Sequence, residues 1–147
     1  MLKFASFFLL LFLISCSENE RIDKVELKIA VSNELSQPMD SIINVFLSTR
    51  KLDFQIVSSR GDVLASKIDT KNEFQLFFSD SVSMFKLHSP SIYESRKVFA
   101  TNDSTNKRIF LGKFKLEQKS LHREDFIKFL KTDTVKSILK HFSYTRN

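Results

Sequence analysis

Short runs of alternating apolar residues follow one another from Val25 to Leu116 at about 8–12 residue spacing. Turn-forming residues separate them, and no helix-length apolar stripe intervenes. These observations predict a mainly β fold, an antiparallel β-sandwich of about seven strands with a C-terminal helical segment. A parallel α/β fold would need a helix between successive strands, and the pattern does not supply one.

The chain opens differently. Met1-Leu2-Lys3 is a short basic start, Phe4 to Ile14 is almost wholly apolar, and polarity returns at Ser17-Glu18-Asn19-Glu20. That order is the one a secretory signal requires, and the apolar run falls short of the roughly 20 residues needed to cross a bilayer. Residues 1–15 therefore read as a signal peptide to be removed. Leu13-Ile14-Ser15-Cys16 resembles the bacterial lipobox, an aliphatic residue and a small one ahead of a cysteine. The resemblance implies cleavage between Ser15 and Cys16, and a lipid tether on Cys16 carrying palmitate-type acyl chains. Cys16 is the chain's single cysteine, so no disulfide partner exists within it. Lipidation would also remove a thiol that an oxidising envelope would otherwise expose. Residues 16–24, polar and mixed in charge, read as the lipidated tether.

Residues 25–118 read as the sandwich. Val25, Leu27, Ile29 and Val31 share one face of a strand, with Glu26 and Lys28 on the other. Ser32 to Asp40, containing Pro38, reads as a loop, and Ile42 to Ser48 as a second strand. Leu52 to Ser58, Val63 to Ile68, Phe74 to Phe78 and Val82 to Leu87 follow, with turns at Ser59-Arg60-Gly61-Asp62, Asp69 to Glu73 and Ser79-Asp80-Ser81. A longer connection runs from Pro90 to Arg96. A short extended piece at Lys97–Thr101, the turn Asn102–Asn106 and a strand at Ile109–Leu116 complete the series.

Residues 119–147 read as a helical tail packed on the domain. Ser120 is a helix cap, and Glu124 and Asp125 suit a positive N-terminal end. At 100° per residue, Phe126, Phe129 and Leu130 face one way, whereas Val135, Ile138, Leu139 and Phe142 lie about 150° around the axis. One straight helix cannot bury both sets, so a break is expected at Thr132-Asp133-Thr134.

Residues Phe54 to Phe78 resemble the middle of carboxypeptidase-regulatory or transthyretin-like domains, with Gly61 in the first turn and Ile68-Asp69-Thr70-Lys71-Asn72-Glu73-Phe74 in place of the second motif. Ile109 to Leu116 resembles their late strand. The resemblance implies a transthyretin/Ig-like sandwich serving as a binding or structural module without catalysis.

Enzymatic chemistry finds little footing. His88, His122 and His141 match no zinc spacing. Gly61 and Gly112 are the only glycines, so phosphate-cradling loops and nucleophile elbows cannot be built. Asp53, Asp62, Asp69, Glu73 and Asp80 gather in turns, where acids are common. No cofactor, metal or catalytic set is expected.

Charge is uneven. Residues 17–80 hold 8 basic and 11 acidic side chains, and residues 81–147 hold 14 and 6. The balance moves from −3 to +8. Lys128, Lys131, Lys136 and Lys140 form a possible basic docking face for anionic lipid, wall polymer or an acidic protein. Nucleic acid is not expected outside the cytoplasm. The sequence therefore predicts an envelope lipoprotein held at a bilayer through Cys16, with an envelope protein as partner. Ser17 after Cys16 favours the outer membrane. A second function class, an immunity or inhibitor lipoprotein neutralising a toxin or hydrolase, fits the same features.

Overall fold

Leu35, Met39, Ile42, Ile43 and Phe46 are all buried, and their spacing of three and four residues is that of one helical face. The computed structural model describes residues 27–50, 56–59, 74–80, 93–116 and 120–147, with 56–59 as backbone. In it Ser36–Ser48 is a helix, α1, entered through a 3₁₀ turn at Asn33–Leu35. The strand expected at Ile42–Ser48 is thus helical. Its two isoleucines, valine and phenylalanine favour strands in isolation, but burying one stripe against a sheet outweighs that local preference. Pro38, taken as a loop marker, sits in the first turn of α1, where the missing N–H has no intrahelical partner to lose.

The strands are β1 (Ile29–Ser32), β2 (Ile56–Ser59), β3 (Leu76–Ser79), β4 (Tyr93–Asn102), β5 (Arg108–Phe114) and β6 (Tyr144–Arg146). They form one mixed sheet in the order β2-β1-β3-β5-β4-β6. β1 lies parallel to both β2 and β3, while β3–β5, β5–β4 and β4–β6 are antiparallel. The expected antiparallel sandwich of seven strands is therefore wrong. β2 and β3 flank β1 on opposite sides, and the turns that carry the transthyretin-like resemblance, within residues 60–73, lie outside the described residues. Residues 51–55, 60–73, 81–92 and 117–119, on which several expected strands, turns and His88 fall, lie outside the described residues, as does everything before Leu27.

The end of the chain folds as helix α2 (Leu121–Phe129), helix α3 (Asp133–His141) and β6. The break expected at Thr132 is present. Thr132 caps α3 through its side chain, as Ser120 caps α2. The return to the sheet was not legible: Tyr144–Arg146 is too short to show alternation, and Ser143 turns the chain with φ 60°. The strand expected at Lys97–Thr101 is longer, running from Tyr93, and its solvent-facing stretch Glu94–Lys97 disguised it as a connection.

One face of the sheet meets all three helices. Ile29, Val31, Leu76, Phe78, Ile109 and Leu111 pack there with the α1 stripe and with Phe126, Leu130, Val135 and Leu139. Phe46 is the hub, with ring centroids 4.9 Å from Phe126 and 5.1 Å from Phe129. Ala30, Phe77, Tyr93 and Phe114 are buried as well, and Tyr93 stacks on Phe114 at 4.9 Å. A sheet with this much apolar surface on alternate positions of both faces suits its partly parallel pairing.

Candidate functional site at the ends of the parallel strands

β1, β2 and β3 point the same way, and each ends in serine: Ser32, Ser59 and Ser79. Ser32 and Ser59 are register partners. Val31 pairs with Phe78, so Ser79 follows one step further on the other side of Ser32. The row therefore crosses three parallel strands at one edge. The chain leaves β1 through α1 to reach β2 on one flank, and returns to β3 on the opposite flank. That reversal is a topological switch point, where open α/β sheets leave a crevice outside the strand ends.

The local chemistry there is a set of neutral donors. Ser32 is 2% exposed and Ser79 is fully buried. Ser32 occupies the N-cap position of the 3₁₀ turn, with φ −67° and ψ 147°, yet its side chain makes no capping bond. Among the described residues its Oγ has no hydrogen-bond partner. Burying an unpaired hydroxyl costs about 1–3 kcal/mol, so such a group marks a place where a ligand atom or water would be accommodated. The 3₁₀ turn and α1 begin directly after it and present backbone N–H groups and a positive dipole end. Glu34 in that turn is exposed, and the first turn of α1 holds no acid. The hairpin joining β4 to β5 stands at the same edge. Asn102 Oδ1 accepts from the backbone N–H groups of Ser104 (3.1 Å) and Thr105 (2.9 Å), and Asn106 takes the left-handed conformation, φ 56°.

The opposite edge of the sheet carries a charge cluster. Arg123 on α2 is 4% exposed; it donates to the Phe114 carbonyl (2.6 Å) and to Glu94 (2.9 Å). Lys113 bridges Glu94 (2.9 Å) and Glu124 (2.8 Å). The hydrogen bonds from Lys113, aided by its charge and that of Arg123, hold both carboxyls below the ordinary glutamate range, against the opposing effect of burial. Partial burial works against the Lys113 ammonium, but the two carboxylates outweigh it and its pKa rises. These ion pairs pin α2 to the sheet, although Arg123 Nε has no hydrogen-bond partner among the described residues. A second clamp joins Arg50, after α1, to Asp125 through two bonds of 2.6 and 3.0 Å, with the guanidinium 4.7 Å above the Phe46 ring.

The residues singled out in the sequence are scattered. Cys16 and Ser15 lie outside the described residues. Lys128, Lys131, Lys136 and Lys140 are all exposed. Lys136 and Lys140 sit one turn apart on α3, Lys128 is on α2, and Lys131 stands in the turn between the helices. His122 is in the first turn of α2 and His141 ends α3, its ring 5.2 Å from Phe142. Among the described residues no three His, Cys, Asp or Glu side chains gather as metal ligands, and no helix is long and apolar enough to cross a membrane. The serine row was missed because three serines at strand ends look like turn chemistry until the parallel order aligns them.

No family model and no curated protein matches the sequence. Solved structures do match the fold. One, described as the substrate binding domain of a molybdenum ABC transporter from Clostridium difficile, superimposes with a TM-score of 0.66 at 10% identity, covering 83% of this chain and 99% of that one. Another, PEB3 with bound L-phospholactate, gives 0.64 at 8% identity, covering 82% and 100%. At these identities the likeness is one of fold, a small mixed α/β domain with one sheet and helices on it.

Proposed function

We propose that the chain is a lipid-anchored solute-binding module of the cell envelope, taking a small oxyanion-bearing solute at the ends of β1 and β3. The observation that carries the reading is the buried, unpaired Ser32 Oγ at the switch point, beside Ser79 and the start of α1. Hydroxyls and backbone N–H groups are neutral donors suited to carboxylate, phosphate or similar oxygens. Both fold neighbours support this reading, one named for molybdenum transport and the other holding a phosphorylated carboxylic acid. Such a module binds and releases without changing its ligand, and an envelope protein that receives the solute is its natural partner.

Thermal unfolding of the purified full chain with molybdate, sulfate, phosphate and L-phospholactate tests this. At 100 times its Kd a ligand adds about 2.7 kcal/mol, so at least one anion raises Tm by several degrees. A panel with no shift contradicts the reading.

The anchor belongs to the same proposal. Leu13-Ile14-Ser15-Cys16 supports cleavage before Cys16 and acylation of its sulfur. Two or more acyl chains hold a protein at a bilayer where one chain binds reversibly. A Cys16→Ser variant is expected to lose lipid by mass spectrometry and to leave the membrane fraction. Retention of either would contradict the anchor while leaving the solute site standing.

A further inference from the structure

A cleft of about 290 Å³ opens on the helix side of the sheet. Its floor is Phe99, Leu111, Ile127 and Leu130, and its rim carries Lys97, Lys131 and Arg146. The backbone explains the gathering. β4 has a register shift between Val98 and Ala100, which places Phe99 as an extra residue on the strand. Lys97, just before it, pairs with Leu111 and so projects on the face that the helices cover. β6 pairs with β4 only from Ala100 to Asn102, and its Arg146 reaches back beneath the end of α2. Lys131 leaves α2 at the same place.

The three cations are not neutralised within the cleft. Arg146 donates to the Leu130 carbonyl (3.3 Å) and the Thr132 carbonyl (3.0 Å), neutral acceptors that fix the guanidinium without cancelling its charge. Lys97 and Lys131 are exposed and have no ion pair among the described residues. No acidic side chain lines the cleft; its remaining lining residue, Asn147, donates through its side-chain amide to Thr101 Oγ1 (2.9 Å). An apolar floor under a rim of three like charges is complementary to one kind of ligand, an apolar tail ending in an anionic head.

We propose that this cleft binds a small amphipathic anion, its tail against Phe99, Leu111, Ile127 and Leu130 and its carboxylate or phosphate between Lys97, Lys131 and Arg146. The site differs from the serine row in face and chemistry: Leu111 and its partner Phe78 face the helices whereas Ser79 alternates to the other side, and the cleft uses cations rather than hydroxyls and requires an apolar tail.

Isothermal titration of the full chain with hexanoate and with hexyl phosphate tests the proposal, the two arms separating a free acyl carboxylate from a phosphate headgroup. Saturable binding of either probe is expected, at least 10-fold weaker for the tail-less anions acetate and phosphate, and undetectable for hexyltrimethylammonium. The Lys97→Gln/Lys131→Gln double variant changes exposed side chains only, so it keeps its fold and should bind at least 10-fold more weakly. Absence of binding by both probes, equal binding of the cationic analogue, or an unchanged affinity in the double variant would overturn it.

Discussion

Ser32 of β1 stands in register with Ser59 of β2, and this pairing extends towards Ser79 to place three serines on one edge of three parallel strands. A buried serine whose hydroxyl has no partner is a liability to the folded state and an asset only if something binds there. Ser32→Ala should therefore raise stability by about 1 kcal/mol, seen as a rise of roughly 2–4 °C in Tm for a domain of this size. The same variant should lose the ligand-induced Tm shift. A destabilised Ser32→Ala protein that still responds to anions would show the hydroxyl to be structural.

This edge was only partly readable from sequence. Alternation identified β1 and β5, and the cap residues Ser120 and Thr132 located both late helices. The decisive error lay at residues 36–48, where β-branched residues looked like a strand although Met39, Ile42, Ile43 and Phe46 already had helical spacing. Once that segment is a helix, β1 and its partner become parallel and a switch point exists. Ser32 then changes from the start of a loop to the end of a buried strand. The cleft cations were counted in the basic half, but only the bulge at Phe99 and the return of β6 bring Lys97, Lys131 and Arg146 together. No local sequence signal carries those long-range pairings.

Phe46 holds α1 against α2 through edge-on contact with Phe126 and is fully buried. Phe46→Ala should cost about 3–5 kcal/mol, measured by urea unfolding. Leu121, 72% exposed, is the control: Leu121→Ala should change stability by no more than about 0.5 kcal/mol.

Arg123 ties the α2 start to the Phe114 carbonyl and to Glu94. Arg123→Met leaves that carbonyl without its donor and removes one of the two cations on Glu94, which keeps Lys113, and should cost about 3 kcal/mol, near the lower limit for a broken buried pair because Glu94 is half exposed. Glu94 and Glu124 have folded pKa values below the ordinary glutamate range, first through hydrogen bonds from Lys113. Their contribution is present above that range and is lost as pH falls through the depressed values. Unfolding at a series of pH values should show stability declining below about pH 4.5, with a shallower decline in Lys113→Met.

Ser120 accepts from the Arg123 N–H at 3.2 Å, whereas Thr132 accepts from the Val135 N–H at 3.5 Å. Ser120→Ala should cost about 1 kcal/mol, and Thr132→Ala less, since its bond is longer. Equal losses in thermal unfolding would indicate that the caps act through something other than these bonds.

The most direct measurement is a titration of the isotope-labelled full chain with the anion that gives the largest thermal shift, followed by backbone amide NMR. Binding at the switch point predicts the largest shift changes at Ser32 to Leu35 and at Ser79, with Lys97, Lys131 and Arg146 little moved. Changes confined to other parts of the chain, with Ser32 and Ser79 silent, would contradict the assignment of the site.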